Sequence, residues 1–402
     1  MTIIGYADGM NDIRALSHAE MRRANTNYIL ECIREKGPIT KRKIQQLTKL
    51  SWGTVSGIIG VLLKDKIIIE KDSEDQNLGG RKPRVFDINP DRNYLLGIDV
   101  SLEGITGVLI DLKYRVVSEI SRELSSRELH TVFNQIEETV SSLIETGGGK
   151  DKVLGIGLAL PGYVDPVNGI WRFTHHFIGA QNNPIQEEIS RRCGLPVKID
   201  HDPRCVALME QRIGCAKQIE NFVLIRISMG IGMALIVGGH IYTGNDAGSG
   251  EFGHITVQEG GPLCQCGRYG CLEEYSSNRA VIQYAMTAQR NGSSELLSNL
   301  SKKGSLSVQD VIACADENDP ASLEILHRAA TYLGIAVANI INVLNPDLLS
   351  IHGELGRSEK HFALVLRETV EKHVWKRFNR NITFAEISGA SAAIGAALLF
   401  AK

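Results

Sequence analysis

Three cysteines, Cys264, Cys266 and Cys271, fall within eight residues, and His254 stands ten positions before the first of them. No other stretch limits the fold as tightly. A tetrahedral zinc site needs four soft or borderline donors, and these residues form a Cys₃His set. Gly267 and Gly270 let the chain double back, so that closely spaced sulfurs can converge on one ion. Free buried thiols, or a disulfide between two of the three, are the alternatives. Eight cysteines in 402 residues, three of them clustered, read as one metal site in a reducing compartment, and the cytoplasm is the expected location. A Cys₃His set fills all four positions, so the zinc is expected to be structural, with no open place for a catalytic water.

A chain of 402 residues is long enough for two or three domains. No run of 18 apolar residues occurs, so a membrane span is not expected. The opening residues lack an apolar core followed by a small-residue cleavage site, so no signal peptide is expected either. Charge is uneven: the first ninety residues hold 15 Lys+Arg against 11 Asp+Glu, and the remainder 29 against 35. A mildly basic head on an acidic body suits a DNA-binding segment joined to a domain that does not touch DNA.

The pattern within residues 1–90 supports that division. Apolar residues recur at helical spacing from Ala19 to Arg34, and Gly37-Pro38 ends the helix. Thr40 is placed to cap a second helix, Lys41 to Thr48, with Ile44 and Leu47 facing inward. Ser51 is placed to cap a third, ending near Lys64, with Val55, Ile58, Ile59 and Leu62 inward. Two short helices joined by a tight turn and preceded by a third make a helix-turn-helix. The β-branched run Ile67-Ile68-Ile69, a polar segment and the alternating Arg84 to Ile88 add a strand-loop-strand wing. Trp52, Thr54 and Ser56 in the third helix, with Arg81 and Lys82 in the wing, are the candidate DNA contacts. Gly57 and Gly60 each weaken that helix by about 0.5–1 kcal/mol relative to Ala. The competing reading is a packing module that binds no DNA.

From Tyr94 onward short apolar runs separated by Gly and Asp suggest adjacent strands, followed by a helix from Leu129 to Thr146 and a buried strand from Val153 to Ala159. Beyond the cysteines the chain is mainly helical, including Pro320 to Asn342, Glu359 to Arg377 and Ala390 to Phe400. Glu251-Phe252-Gly253-His254, followed by Cys264-Gln265-Cys266-Gly267-Arg268-Tyr269-Gly270-Cys271-Leu272-Glu273, resembles the signature of the ROK family of sugar kinases and sugar-responsive repressors. The Gly79-Gly80-Arg81-Lys82-Pro83 wing resembles that of the family's repressors. The resemblance implies an α/β chain: an N-terminal winged helix-turn-helix over 1–90, then a two-lobed actin-like, hexokinase-like ATPase fold over 91–402 that senses a ligand.

Within that resemblance the nucleotide-facing turns are altered. ROK kinases read Asp-x-Gly-Gly-Thr at the first phosphate turn, whereas here Asp99 is followed by Val100, Ser101, Leu102 and Glu103. A carboxylate at Glu103 opposes a polyphosphate by roughly 4 kcal/mol per charge pair at 4 Å and a dielectric near 20. The second loop, Ser228-Met229-Gly230-Ile231-Gly232, has Met229 in place of a hydroxyl donor, and only one Gly of the pair beside the adenosine survives, at Gly353. The chain is therefore not expected to be an enzyme. The sugar side is better kept: Gly162, His201, Asp202, Glu251, His254 and Glu273 are the implied ligand-binding residues. Asp202 stands at the position of the kinase general base, or alternatively caps the helix that follows it. His254 is implied to bind zinc through one ring nitrogen and face the sugar with the other. His175 and His176 stand where relatives place an Asn; a second metal site there is the weaker alternative. The expected partners are operator DNA and a sugar or sugar-derivative effector, within a homodimer or homotetramer, with a sugar-transport protein as another possible partner. A sugar kinase with an N-terminal regulatory head is the competing function.

Overall fold

The computed structural model describes residues 17–72, 83–302, 304–378, 381–385 and 389–401. The chain divides into two compact units, residues 1–93 with 111–113 and 402, and residues 94–110 with 114–401.

The first unit holds helices α1 (His18–Lys36), α2 (Lys41–Thr48) and α3 (Trp52–Lys64), with strands β1 (Ile39–Thr40), β2 (Ile68–Asp72) and β3 (Arg84–Ile88). Side-chain caps fix where the helices begin. Ser17 and Glu20 form a reciprocal capping box, Thr40 accepts from the Lys43 amide, and Ser51 accepts from the Thr54 amide. Val55, Ile58, Ile59 and Leu62 pack with Ile29, Ile33 and Ile44. Leu47 does not join them; it lies 40% exposed on the outer side of α2, where Tyr28 donates to its carbonyl at 3.4 Å. The helical period alone could not tell this edge position from a core one. β3 pairs antiparallel with both β2 and β1, and β1, only two residues long, carries no strand signal of its own. Arg81 and Lys82 lie outside the described residues.

The second unit begins with β4 (Tyr94–Val100), β5 (Gly104–Asp111), β6 (Val116–Glu123), α4 (Leu129–Thr146) and β7 (Val153–Leu160). It continues with the small hairpin β8 (Tyr163–Asp165) and β9 (Ile170–Phe173), then α5 (Ile185–Cys193), β10 (Val197–His201) and α6 (Asp202–Ile213). A second half follows with β11 (Phe222–Ile227), β12 (Ile231–Val237) and β13 (His240–Tyr242). Helices α7 (Glu273–Ser276), α8 (Asn278–Arg290), α9 (Glu295–Ser301), α10 (Val308–Asp316) and α11 (Pro320–Leu344) lead to β14 (Leu348–His352). Helix α12 (Leu364–His373), β15 (Ile382–Ala385) and α13 (Ser391–Leu398) close the chain. α12 ends four residues short of the expected Arg377, and Glu359–Ala363 before it is a π-helical turn.

The two five-stranded sheets repeat one topology. Their orders are β10-β7-β4-β5-β6 and β15-β14-β11-β12-β13, each an antiparallel meander flanked by two parallel strands added on the side of its first strand. β4 of the first sheet therefore corresponds to β11 of the second. This is the two-lobed α/β architecture expected of the body. Helix α13 lies on the first sheet because glycines open the way: a Cβ on Gly97 or Gly157 would stand 1.8 Å from the carbonyl oxygen of Ala393 or Ala396. Gly395 of α13 meets the Cys205 carbonyl of α6 at the same distance. The small-residue stripe of α13 is thus a backbone-to-backbone contact, as its Ala and Gly content suggested. Gly157→Val should destabilise the body by about 3 kcal/mol, at the upper end of overpacking costs, in urea unfolding; a change below about 0.5 kcal/mol would show that α13 does not rest on β7 in this way.

Candidate ligand cleft and metal centre

The six residues expected on the sugar side, Gly162, His201, Asp202, Glu251, His254 and Glu273, line one cavity of about 650 Å³. Each is placed by a local device. The turn carrying Gly162, whose φ is +82°, is anchored where Trp171, fully buried, donates its indole N–H to the Pro161 carbonyl at 2.8 Å. Glu273 opens α7, and its Oε2 accepts from the Ile231 amide at 3.0 Å, so it holds the Ser228–Gly230 turn between β11 and β12. A Cβ on Gly230 would stand 2.7 Å from that oxygen. The segment leading to Glu251 is tied down by Arg204, which is 1% exposed. Its guanidinium donates to Asp200 at 2.6 Å, to the Ala247 carbonyl at 2.9 Å and to the Val164 carbonyl at 3.3 Å.

Asp202 does not cap α6. The N-cap is His201, which makes no side-chain cap bond, and Asp202 is the first helical residue. Its carboxylate instead takes a charge-assisted bond from Arg226 of β11, and its other oxygen lies 3.3 Å from His201 Nε2. The same guanidinium reaches Asp99 of β4 at 3.3 Å. Asp99 and Arg226 sit near the carboxyl ends of topologically equivalent strands, so the pair bridges the two sheets across the cleft. All three side chains are largely buried. Burial pushes the Asp99 carboxyl up to about 6, and Arg226 pulls it back only partly. Burial disfavours the charge on Arg226 too, but Asp202 and Asp99 hold it protonated. Burial also drives the His201 ring down to about 3, so it is neutral. Sequence reasoning missed Arg226 and Asp99 as a pair. The signal was available, since each is a single charge in an otherwise apolar strand, Phe222-Val223-Leu224-Ile225-Arg226-Ile227 and Leu95-Leu96-Gly97-Ile98-Asp99-Val100.

The cysteine loop brings its four predicted ligands together. Cys264 Sγ lies 3.6 Å from His254 Nδ1, Cys266 Sγ lies 3.6 Å from Cys271 Sγ, and all four donor atoms fall within 4.8 Å of one another. Zn–S bonds of about 2.3 Å and Zn–N bonds of about 2.0–2.1 Å in a tetrahedron imply donor separations of roughly 3.5–3.8 Å, so the residues fit a zinc ion. Turn geometry makes the approach possible. Gly267 and Gly270 adopt φ of +84° and +73°, and a Cβ on Gly270 would stand 1.7 Å from the Gln258 carbonyl oxygen. Arg268 donates to the His254 carbonyl at 2.9 Å and so ties the loop to the histidine. While His254 Nδ1 faces the cysteines, its Nε2 lies 4.0 Å from Glu251 and the residue lines the cavity. His175 and His176 line the same cavity and stand apart from this cluster.

On α3, Trp52 is 51% exposed, whereas Thr54 and Ser56 are half-buried and Thr54 Oγ1 is engaged by Ser51 Oγ at 2.8 Å. Gly53, Gly57 and Gly60 leave the outer face of this helix smooth, with open space around Gly57 and Gly60.

Comparison with known proteins agrees with this architecture. The model of the ROK family matches residues 95–402. The xylose repressor of Bacillus subtilis (strain 168) is 28% identical over 372 residues, covering 90% of each chain. The crystal structure of a ROK family transcriptional regulator, a homologue of the E. coli MLC protein, superposes with a TM-score of 0.81 at 24% identity over 94% of this chain and 96% of its own. A ROK family glucokinase from Streptomyces griseus, solved with glucose and AMPPNP, has a TM-score of 0.68 at 22% identity and covers 76% of this chain and 99% of its own.

Two outcomes are expected of the cleft. Arg226→Met strands Asp99 and Asp202 as buried unpaired carboxylates and should cost about 3–5 kcal/mol in chemical denaturation. Adding Asp99→Asn and Asp202→Asn should recover part of that loss, and strict additivity of the three changes would rule out the pairing. Cys266→Ser should lower the zinc content per chain, measured by atomic emission, together with the melting temperature; full zinc retention would exclude Cys266 as a ligand.

Proposed function

This chain belongs to the ROK family, and on that premise we propose that it is a sugar-responsive, DNA-binding repressor of carbohydrate-utilisation genes. The observation that carries the reading is the state of the cleft in a chain that also carries a winged head: the carboxylate at the kinase-base position is already bonded to a buried arginine. A general base must be free to take the substrate proton, and Asp202 engaged by Arg226 is a poor one. Asp99, at the first phosphate turn, is engaged by the same guanidinium, and Glu103, Leu102 and Met229 replace groups that would hold phosphate. These features support a cleft that binds a sugar and does not phosphorylate it. The repressor relative is matched over 90% of the chain and the glucokinase over 76%, which favours the same side.

In this reading Gly162, His201, Asp202, Glu251, His254 and Glu273 meet the effector, with neutral His201 offering one ring nitrogen as donor and the other as acceptor. His254, Cys264, Cys266 and Cys271 hold a structural zinc, which when bound fixes the loop carrying Glu251 and Glu273 at its two ends. His254 contributes Nδ1 to that set and presents Nε2 to the ligand, so the metal loop orients one wall of the cleft. Trp52, the most exposed of the α3 candidates, meets operator DNA, and Arg81 and Lys82 of the wing grip its backbone. A dimer or tetramer would place two heads on operator half-sites, and an effector acts by binding the free and DNA-bound states unequally.

Fluorescence anisotropy on DNA from the promoters flanking the gene should show specific binding that weakens with salt and with the inducing sugar. Trp52→Ala should weaken it by about tenfold or more, in keeping with 1–3 kcal/mol for a base-contacting side chain. Absence of specific DNA binding with and without sugars, combined with ADP release on a hexose panel, would favour the kinase reading.

A further inference from the structure

The cavity is larger and less polar than a single sugar requires. At about 650 Å³ it falls within the range of clefts that take drug-sized ligands, and one pyranose has only about a dozen non-hydrogen atoms. The excess is built from chain, since the turn after β4 and the turn between β11 and β12 both border the cavity. They add Leu102 and Met229, both partly exposed, to the polar residues already described. Apolar walls of this kind accept the C–H face of a second sugar ring, and neighbouring polar groups fix its hydroxyls.

The charges exclude one common class of sugar derivative. Five carboxylates border the cavity, those of Glu103, Asp202, Asp246, Glu251 and Glu273. Arg226 is the sole Lys or Arg among the described residues lining it, and its guanidinium is already committed to Asp202 and Asp99. Phosphate recognition draws on guanidinium, ammonium, hydroxyl or backbone N–H donors; the free cations are missing here, and each added negative charge meets carboxylates in a confined space. Burial lowers the pKa of His176 and of His201, which disfavours a cationic ring at either position.

We propose that the effector is an unphosphorylated disaccharide, one ring held by the Gly162–Asp202–Glu273 side and the other against Leu102 and Met229. The inference rests on the sugar-sensing function proposed above and specifies its ligand. The test is isothermal titration of the full-length, zinc-loaded protein with xylose, glucose, glucose 6-phosphate, xylobiose, cellobiose and maltose, repeated for operator release. At least one disaccharide should bind about tenfold or more tightly than its own monosaccharide, a plausible discrimination for one extra set of pocket contacts. Glucose 6-phosphate should bind more weakly than glucose. Met229→Trp, which fills part of the extra space, should bring the disaccharide-to-monosaccharide ratio close to one while operator binding without sugar persists. A monosaccharide that binds as tightly as its disaccharides, or glucose 6-phosphate as the tightest ligand, overturns the disaccharide assignment and leaves sugar sensing intact. Binding of none of the six overturns the disaccharide assignment and removes support for sugar sensing, with operator binding then deciding whether the repressor reading stands.

Discussion

Arg226 carries a charge into a strand whose other residues are apolar, and the cleft is built around the way that charge is answered. A buried guanidinium is tolerated only with partners of opposite sign and good geometry. Asp99 supplies one from β4 of the other sheet, and Asp202 supplies the other from the first turn of α6. Because Asp99 and Arg226 stand on equivalent strands of a repeated topology, the ion pair joins the halves where two parallel strand ends face each other. Open α/β sheets bind ligands at the carboxyl ends of their strands, and two of the residues of this ion-pair cluster, Arg226 and Asp202, also line the cavity.

That coupling explains why the altered turns belong together. On the proposed reading the cleft takes no nucleotide, and glycines that bring backbone to phosphate would then have no use there. Leu102, Glu103 and Met229 at those turns are then compatible neighbours. The glycines that remain have other duties: Gly97 and Gly157 admit α13, and Gly230 leaves room for the Glu273 carboxylate. A substitution pattern that looks like decay from the phosphate side reads as consistent packing from the ligand side.

Much of this was legible in the sequence wherever one residue type has one physical use. Ser17, Thr40 and Ser51 begin helices because their hydroxyls satisfy amides at the first turn, and at Thr40 and Ser51 the local sequence alone marks the cap. The Cys₃His set was readable because thiol spacing and two glycines leave few other conformations. What escaped were features decided by long-range contact. Leu47 keeps the helical period yet sits at an edge, and the two-residue β1 exists only because β3 offers it a partner. Asp202 had the local setting of a cap, but Arg226, 24 positions away, claimed its carboxylate. Arg204 likewise binds carbonyls 43 and 40 positions distant, which no local pattern signals.

The two ring nitrogens of His254 have a thermodynamic consequence. If one binds zinc and the other meets the effector, the two equilibria are linked, and linkage is reciprocal. Whatever factor the ion adds to sugar affinity, the sugar adds to affinity for the ion. A cell short of zinc would then read a given sugar concentration as lower than it is, and a cell rich in the sugar would hold its zinc in this loop more firmly. On that reading the loop would make the protein a meter of two supplies whose readings cannot be taken independently.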